Sequence, residues 1–513
     1  NAYKGGGGVG DLNEVHRMET FDMDATNGFL DSKWYHLYCS VQRCNSALRV
    51  LNAATDEQVN GRVSRIAEMK VLRAHYYFEL SRLFNKIPYF DENVEISQYP
   101  DIPNNEFTRD EILSMLAEEM LDAAEQLPAS QPEVGRIHKY IALAYAAKIK
   151  LYQAYQQDET THAVTSINKE LLREVVSLCD QVTASNRYGL LDDFQGLDLV
   201  ANENGKESVF AIQYSMNDGT ESAGRINWSN LLNSPGGGSP YGGDGFFLPS
   251  QDLINAYQTD ANGLPDFNYQ SKSDYSWAVL NNGVYTLQNT TPNVDPRLDF
   301  VVGRPTITWK TYPDKPCEGW VRDKETYGYN CAKRFWVSPE SSDMFNGWPW
   351  GASQLNWQII RYADILLWKA EALIELNEGN GLETARDLIN QIRNRARNSA
   401  YVKDFNDHSK YAANYLVNPY PADVWNQDYA RQALRWETRL EKALEGERFF
   451  DLVRWGIVET TMNKYITAES DNRIYYANAH FTGGKDEYYP VPNNQYGFSG
   501  GKYVQNPGYA PFN

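Results

Sequence analysis

The chain is short of the residues that most catalytic chemistry uses. Among 513 residues it has five Cys and seven His. The Cys contain no C-x-x-C pair and the His no H-E-x-x-H, so neither a redox pair, a zinc ribbon nor a zinc-protease helix is indicated. Cys39 and Cys44 stand on a predicted helix at a spacing that does not share a face. Cys317 and Cys331 bracket a loop, where a bridge would contribute about 3 kcal/mol through loop closure; the alternative is five small buried thiols. Basic residues are also scarce: 48 Lys and Arg against 67 Asp and Glu leave a net charge of −19. Binding to nucleic acid needs clustered cations on phosphates and is excluded on that balance. No apolar run approaches the ~20 residues that span a bilayer. Hydrophobic residues at 42% rule out disorder.

The excess is aromatic: 13 Trp, 35 Tyr and 20 Phe. That is more ring surface than a core absorbs. The chain opens at Asn1 without an initiator Met, as a processed secreted protein or a trimmed sequence would.

Three textures follow one another. Residues 1–187 read as a helical scaffold. Trp34, Tyr38, Val41 and Leu48 share one helical stripe, and Val63 to Phe78 another with a second apolar face, so that helix is sandwiched. Thr108 and Glu111 make a capping box before the stripe Ile112, Leu116, Met120 and Ala123. Further helices are predicted from about Ile137 to Tyr155 and from Lys169 to Ala184. Residues 188–354 are rich in Gly, Asn, Pro and Ser and carry only short apolar runs, the pattern of long functional loops with short strands. Helices return in 355–513, where Tyr362 to Leu376, a Gly-containing turn and the stripe Leu382 to Ala396 predict a helical hairpin of the tetratricopeptide kind. The fold class is therefore mainly α, with helical hairpins as scaffold and an irregular middle. The tail from Tyr488 has almost no period and must lie along a surface or groove.

Several patterns carry no function. Gly5-x-Gly7-x-x-Gly10 has no strand before it and falls at what reads as a flexible terminus. Gly497-Phe-Ser499-Gly-Gly501 lacks the strand-to-helix turn of a nucleophile elbow. Asp260-Ala-Asn262-Gly263 resembles a calcium loop with its Gly too early and its distal Glu missing. No catalytic residue, metal ligand or cofactor is assigned.

The helical hairpin Arg361-Tyr-Ala-Asp-Ile-Leu-Leu-Trp to Arg397, and above all Glu445-Gly-Glu-Arg-Phe-Phe-Asp-Leu-Val-Arg-Trp-Gly456, resemble the SusD/RagB family. Arg73 to Pro88, Gly135 to Tyr152, Asp295-Pro-Arg-Leu298, Tyr489-Pro-Val-Pro and Gln505-Asn-Pro-Gly-Tyr509 match it in order, over nearly the whole chain. The resemblance implies a lipid-anchored, surface-exposed outer-membrane protein. It would bind poly- or oligosaccharide and pass it to a SusC-like TonB-dependent transporter, as part of a polysaccharide utilisation locus. Such proteins mature to an acylated Cys; no Cys precedes Cys39, so the anchor is implied by the resemblance alone.

A sugar site needs flat rings for C–H faces and a few polar groups for register. Seven Trp lie in 277–357, where little periodic core exists to bury them. The ligand contacts expected are Trp277, Trp309, Trp320 and Trp350, then Trp348, Tyr329 and, in the first loop after Pro88, Tyr99. Trp34, Trp368, Trp436 and Trp455 sit on helical stripes and are assigned to packing. Dense Trp points to a neutral polymer such as a glucan. A sulfated or uronate chain would call on Arg and Lys, of which Arg304, Lys310, Arg322, Lys324, Lys333 and Arg334 fall in this stretch. Capture of peptides in the same fold is the alternative, and a glycoside hydrolase with two spatially paired carboxylates a more distant one.

Overall fold

Helix boundaries fall where capping chemistry places them. The structure, a computed structural model, describes residues 1–512 except 222–223, 276–277, 282–283, 288–291 and 314–318, and only the backbone of 278–281 and 284–287. Two compact units emerge, each built from discontinuous segments. The first comprises 1–19, 188–448 and 464–478, the second 20–187, 449–463 and 479–513.

In the second unit the helices Gly28–Ala53, Arg62–Phe84, Arg109–Gln126, Lys139–Ala154 and Lys169–Ala184 each pack against the next. Asn27 caps the first by accepting from the Phe29 and Leu30 amides, and the Thr108–Glu111 box caps the third as expected. Lys139–Ala154 is buried on nearly every face, and its run of Ala lets neighbouring backbones approach closely. A two-stranded ribbon pairs Tyr155 with Ile167 and returns the chain antiparallel into Lys169–Ala184. The aperiodic tail is fixed by side-chain amides: Asn506 Nδ2 donates to the Phe84 and Tyr489 carbonyls, both at 2.7 Å. Val504 N donates to Asn104 Oδ1 at 2.8 Å.

The first unit holds the predicted hairpin as Tyr362–Leu376 and Gly381–Asn398, joined by a link too short for anything but antiparallel packing, with Gln427–Glu441 laid against both. Leu366, Ile374, Ile389, Ile392 and Leu434 fill the space between them. The strands of this unit form separate two-stranded antiparallel pairs, Ser208–Ile212 with Trp357–Arg361 among them. A second core gathers Leu253, Tyr257, Leu298, Val301 and Leu440 under the loop-rich segment.

The glycine-rich start is not the flexible terminus expected. Ala2–Gly5 pairs with Phe246–Pro249, Tyr3 is buried, and Lys4 Nζ donates to the Gly8 and Asp11 carbonyls. The reason is steric: Gly5 sits at φ +78°, where a Cβ would stand 2.5 Å from the Gly245 carbonyl oxygen, so only glycine permits the strand and the turn after it.

A buried ion network ties the first unit together. Arg361 Nη1 meets Glu441 at 2.6 Å and Glu207 at 3.1 Å, and its Nη2 meets Glu445 at 3.0 Å. Arg395 pairs with Glu207 and Glu441. Arg297 pairs with Asp295 at 2.7 Å and Glu437 at 2.5 Å. Asp295, Arg297, Arg361, Arg395 and Glu445, which belong to the motifs of the family resemblance, are thus charges inside this core.

Candidate functional site

The segment 343–354 is a hairpin closed at its base. Gln354 N donates to the Asp343 carbonyl at 3.0 Å, Gln354 Nε2 to Asp343 Oδ1 at 2.6 Å, and Phe345 N to the Ala352 carbonyl at 2.8 Å. Ser353 also bridges Asn227, whose amide donates to the Ser353 carbonyl at 2.8 Å. That contact brings Trp228 beside the hairpin tip. Its ring stands 5.0 Å from that of Trp348, edge to face at 87°. Trp350 lies over the Gly242 backbone, where a Cβ would come within 3.2 Å of its ring, so part of the indole is covered there. Trp228 is 40% exposed, Trp348 61% and Trp350 47%. Gly351, at φ +68°, lies so close to Trp336 that a Cβ would stand 2.4 Å from its ring; the hairpin is seated on that buried indole.

Beneath this shelf runs a buried aromatic layer. Trp309 Nε1 donates to Tyr241 Oη at 2.9 Å, and Tyr241 Oη donates to the Val337 carbonyl at 2.6 Å. Trp320 packs edge-on against Trp309 at 5.2 Å, and Trp336 lies 4.5 Å from Tyr241.

The expected contacts therefore divide. Trp350 and Trp348 are exposed and close together in sequence and space. Trp309 and Trp320 are corrected: both rings are buried and offer no face to a ligand, because the loops fold into an irregular core that needs large apolar groups as any core does. Tyr99 is corrected likewise; it is buried in the second unit, stacked 3.9 Å from Phe90, with Arg49 Nη2 donating to its hydroxyl. Tyr329 is half-buried. Trp277 and Cys317 lie outside the described residues, and Cys331 is buried. Trp228 was not anticipated, because it falls outside the dense Trp window. Its setting in Asn227-Trp-Ser-Asn230, polar and without period, is the signal that would have found it.

Five of the six cations named in this stretch are engaged. Arg304 is forked onto Asp299 at 2.7 Å twice, and Lys310 reaches Asp198 at 3.0 Å. Arg322 donates to the Asp244 carbonyl at 2.8 Å and lies near Asp11. Lys333 donates to the Asp299 and Thr308 carbonyls, and Arg334 pairs with Asp198 and Glu445. Acid remains nearby: burial pushes Glu203 up to about 7, against the Asn356 amide that donates to it, and the Asp343 charge raises it further. Asp260 is exposed and accepts from the Asn262 and Leu264 amides of its own loop.

The protein is thus a mainly helical scaffold whose loops present exposed indoles. The family model described as SusD family matches residues 206–509, and one described as starch-binding associating with outer membrane matches 10–151. The chain belongs to the SusD family. SusD-like protein P2 of Formosa agariphila is 24% identical over 499 residues, covering 96% of this chain and 83% of its own. Among solved structures, a laminarin-binding SusD-like protein superposes with a TM-score of 0.68 at 20% identity, covering 99% and 92% of the two chains. Surface glycan-binding protein A from Bacteroides thetaiotaomicron, in complex with laminarihexaose, gives 0.65 at 19% identity over 98% and 91%.

Proposed function

We propose that this chain is a non-catalytic glycan-binding protein of the bacterial outer surface that holds poly- or oligosaccharide on the Trp228–Trp348–Trp350 shelf. The observation that carries the reading is the exposure of these three indoles, two on a braced hairpin and one beside its tip, while six other Trp among the described residues are buried. Exposed indoles cost solvation unless a ligand covers them, and pyranose C–H faces are the ligand such rings suit. Family membership supplies the setting: outer-membrane attachment through an N-terminal lipid, and delivery of the glycan to a SusC-like TonB-dependent transporter. The laminarin-binding neighbours favour a glucan. A neutral chain is favoured on charge as well, because Arg304, Lys310, Arg322, Lys333 and Arg334 already have partners and the net charge of −19 repels sulfates and uronates. Affinity electrophoresis against neutral and anionic polysaccharides tests both parts. Binding of a neutral glucan, lost in a Trp228→Ala/Trp348→Ala/Trp350→Ala variant, is expected; equal binding by that variant removes the shelf, and preference for an anionic polymer removes the neutral assignment.

A further inference from the structure

The segment that leads into this hairpin also walls a groove of about 700 Å³ in the first unit. Ser338, Glu340, Ser341 and Asp343 form that wall, and Leu199 and Val200 face it from the opposite side. From Asp343 at the groove to Trp348 on the shelf is five residues of chain, so the two lie at most about 17 Å apart. A single oligosaccharide of modest length reaches both.

The groove is built for a neutral polyol. Its lysines are occupied: Lys310 by Asp198 at 3.0 Å, Lys206 by Asp192 at 2.9 Å, and Lys333 by two carbonyls. The rest of the lining is hydroxyl, amide, carboxylate and apolar surface, Phe194 and Phe300 included, which suits sugar hydroxyls and C–H edges and repels anions. Among the described residues no indole lines it, so it contributes register and reach rather than stacking. Asp343 couples the two places structurally: its Oδ1 accepts from Gln354 across the hairpin base and its Oδ2 from Ser341 Oγ at 2.9 Å, while its side of the hairpin lines the groove.

We propose that this groove is a second subsite, continuous with the indole shelf, that takes the flank of a neutral glycan chain and makes affinity depend on chain length. The proposal rests on the shelf reading above. It is tested by calorimetry with laminari- and malto-oligosaccharides from the trisaccharide to the octasaccharide. The protein forms compared are wild type, Trp348→Ala, and the double variant Leu199→Gln/Glu340→Ala. Leu199 is 55% exposed and Glu340 is exposed, so the double variant keeps its core, and an unchanged melting curve checks this. The expected result is a wild-type affinity that climbs about tenfold between the shortest and longest chains. The double variant binds the trisaccharide as wild type does but shows no such climb, whereas Trp348→Ala is weakened at every length. A double variant that keeps the full climb, or a wild type whose affinity is level from the trisaccharide upward, overturns the groove and leaves the shelf standing. Failure of Trp348→Ala to weaken any chain overturns the shelf and the groove with it.

Discussion

Trp309 and Trp348 occur in the same kind of sequence, rich in Gly, Pro and Asn, yet one is fully buried and the other 61% exposed. They should answer to different measurements. Trp309→Ala opens a cavity and removes the donor to the Tyr241 hydroxyl, and is expected to cost about 3–5 kcal/mol of stability, read as a lowered denaturation midpoint. Trp348→Ala should leave that midpoint in place and weaken glucan binding by about 1.5 kcal/mol, roughly tenfold in Kd. If the two variants behave alike, burial is not what separates these residues. Glu203 makes a further residue-scale case. Its folded pKa, about 7, stands above the ordinary carboxyl value of 4.5, chiefly through burial. Its contribution to stability is therefore complete below about pH 4.5 and is lost as pH rises through 7. Glu203→Gln retains an acceptor for the Asn356 amide and cannot ionise. Its thermal midpoint should match wild type at pH 5 and exceed it at pH 8; an equal or lower midpoint at pH 8 refutes the assignment.

At the scale of elements, the helices and the loops were legible to different degrees. Tyr362–Leu376 and Lys169–Ala184 could be read from their stripes to the residue, and Thr108 from its box, because periodicity and capping are local properties. The exposure of an indole is not local. It is set by what the loops fold over, so Trp309 and Trp320 read the same as Trp350, and Trp228, far off in sequence, gave no sign that Asn227 would pair with Ser353. The role of Arg361 was also hidden: the motif around it marks the family, but only the fold shows it surrounded by Glu207, Glu441 and Glu445. Burial alone would raise the Glu441 carboxyl, and Arg395, Arg361 and Arg297 outweigh it, holding the group down to about 2. Arg361→Met removes one of these cations and leaves buried carboxylates undercompensated. The loss should be about 3–5 kcal/mol and appear as a lower urea midpoint, with the variant's deficit shrinking toward acid pH as those carboxylates take up protons. A deficit independent of pH would assign Arg361 to packing instead.

Over the whole molecule, two sets of buried groups pull stability in opposite directions between pH 5 and 7. His75, His138 and His162 are each lowered to about 4, in every case chiefly by burial. Their folded pKa lies below the free value of 6.5, so the stability they allow is complete above that pH and is lost as pH falls toward 4. Glu203, Glu469 and Glu487 are raised to about 7, again chiefly by burial, and what they allow is lost as pH rises from 4.5 through 7. Over the shared interval the two slopes largely cancel, and wild type should melt at nearly constant temperature. Replacing the histidines exposes the second slope. A His75→Gln/His138→Gln/His162→Asn variant, with Asn at 162 because that residue sits at φ +56°, should melt lower at pH 7 than at pH 5. Calorimetric scans of both proteins across that range decide the matter. If the variant's midpoint stays level or climbs with pH, then either the histidines are already charged in the folded chain or the carboxyls are not raised, and the balance inferred from their burial is wrong.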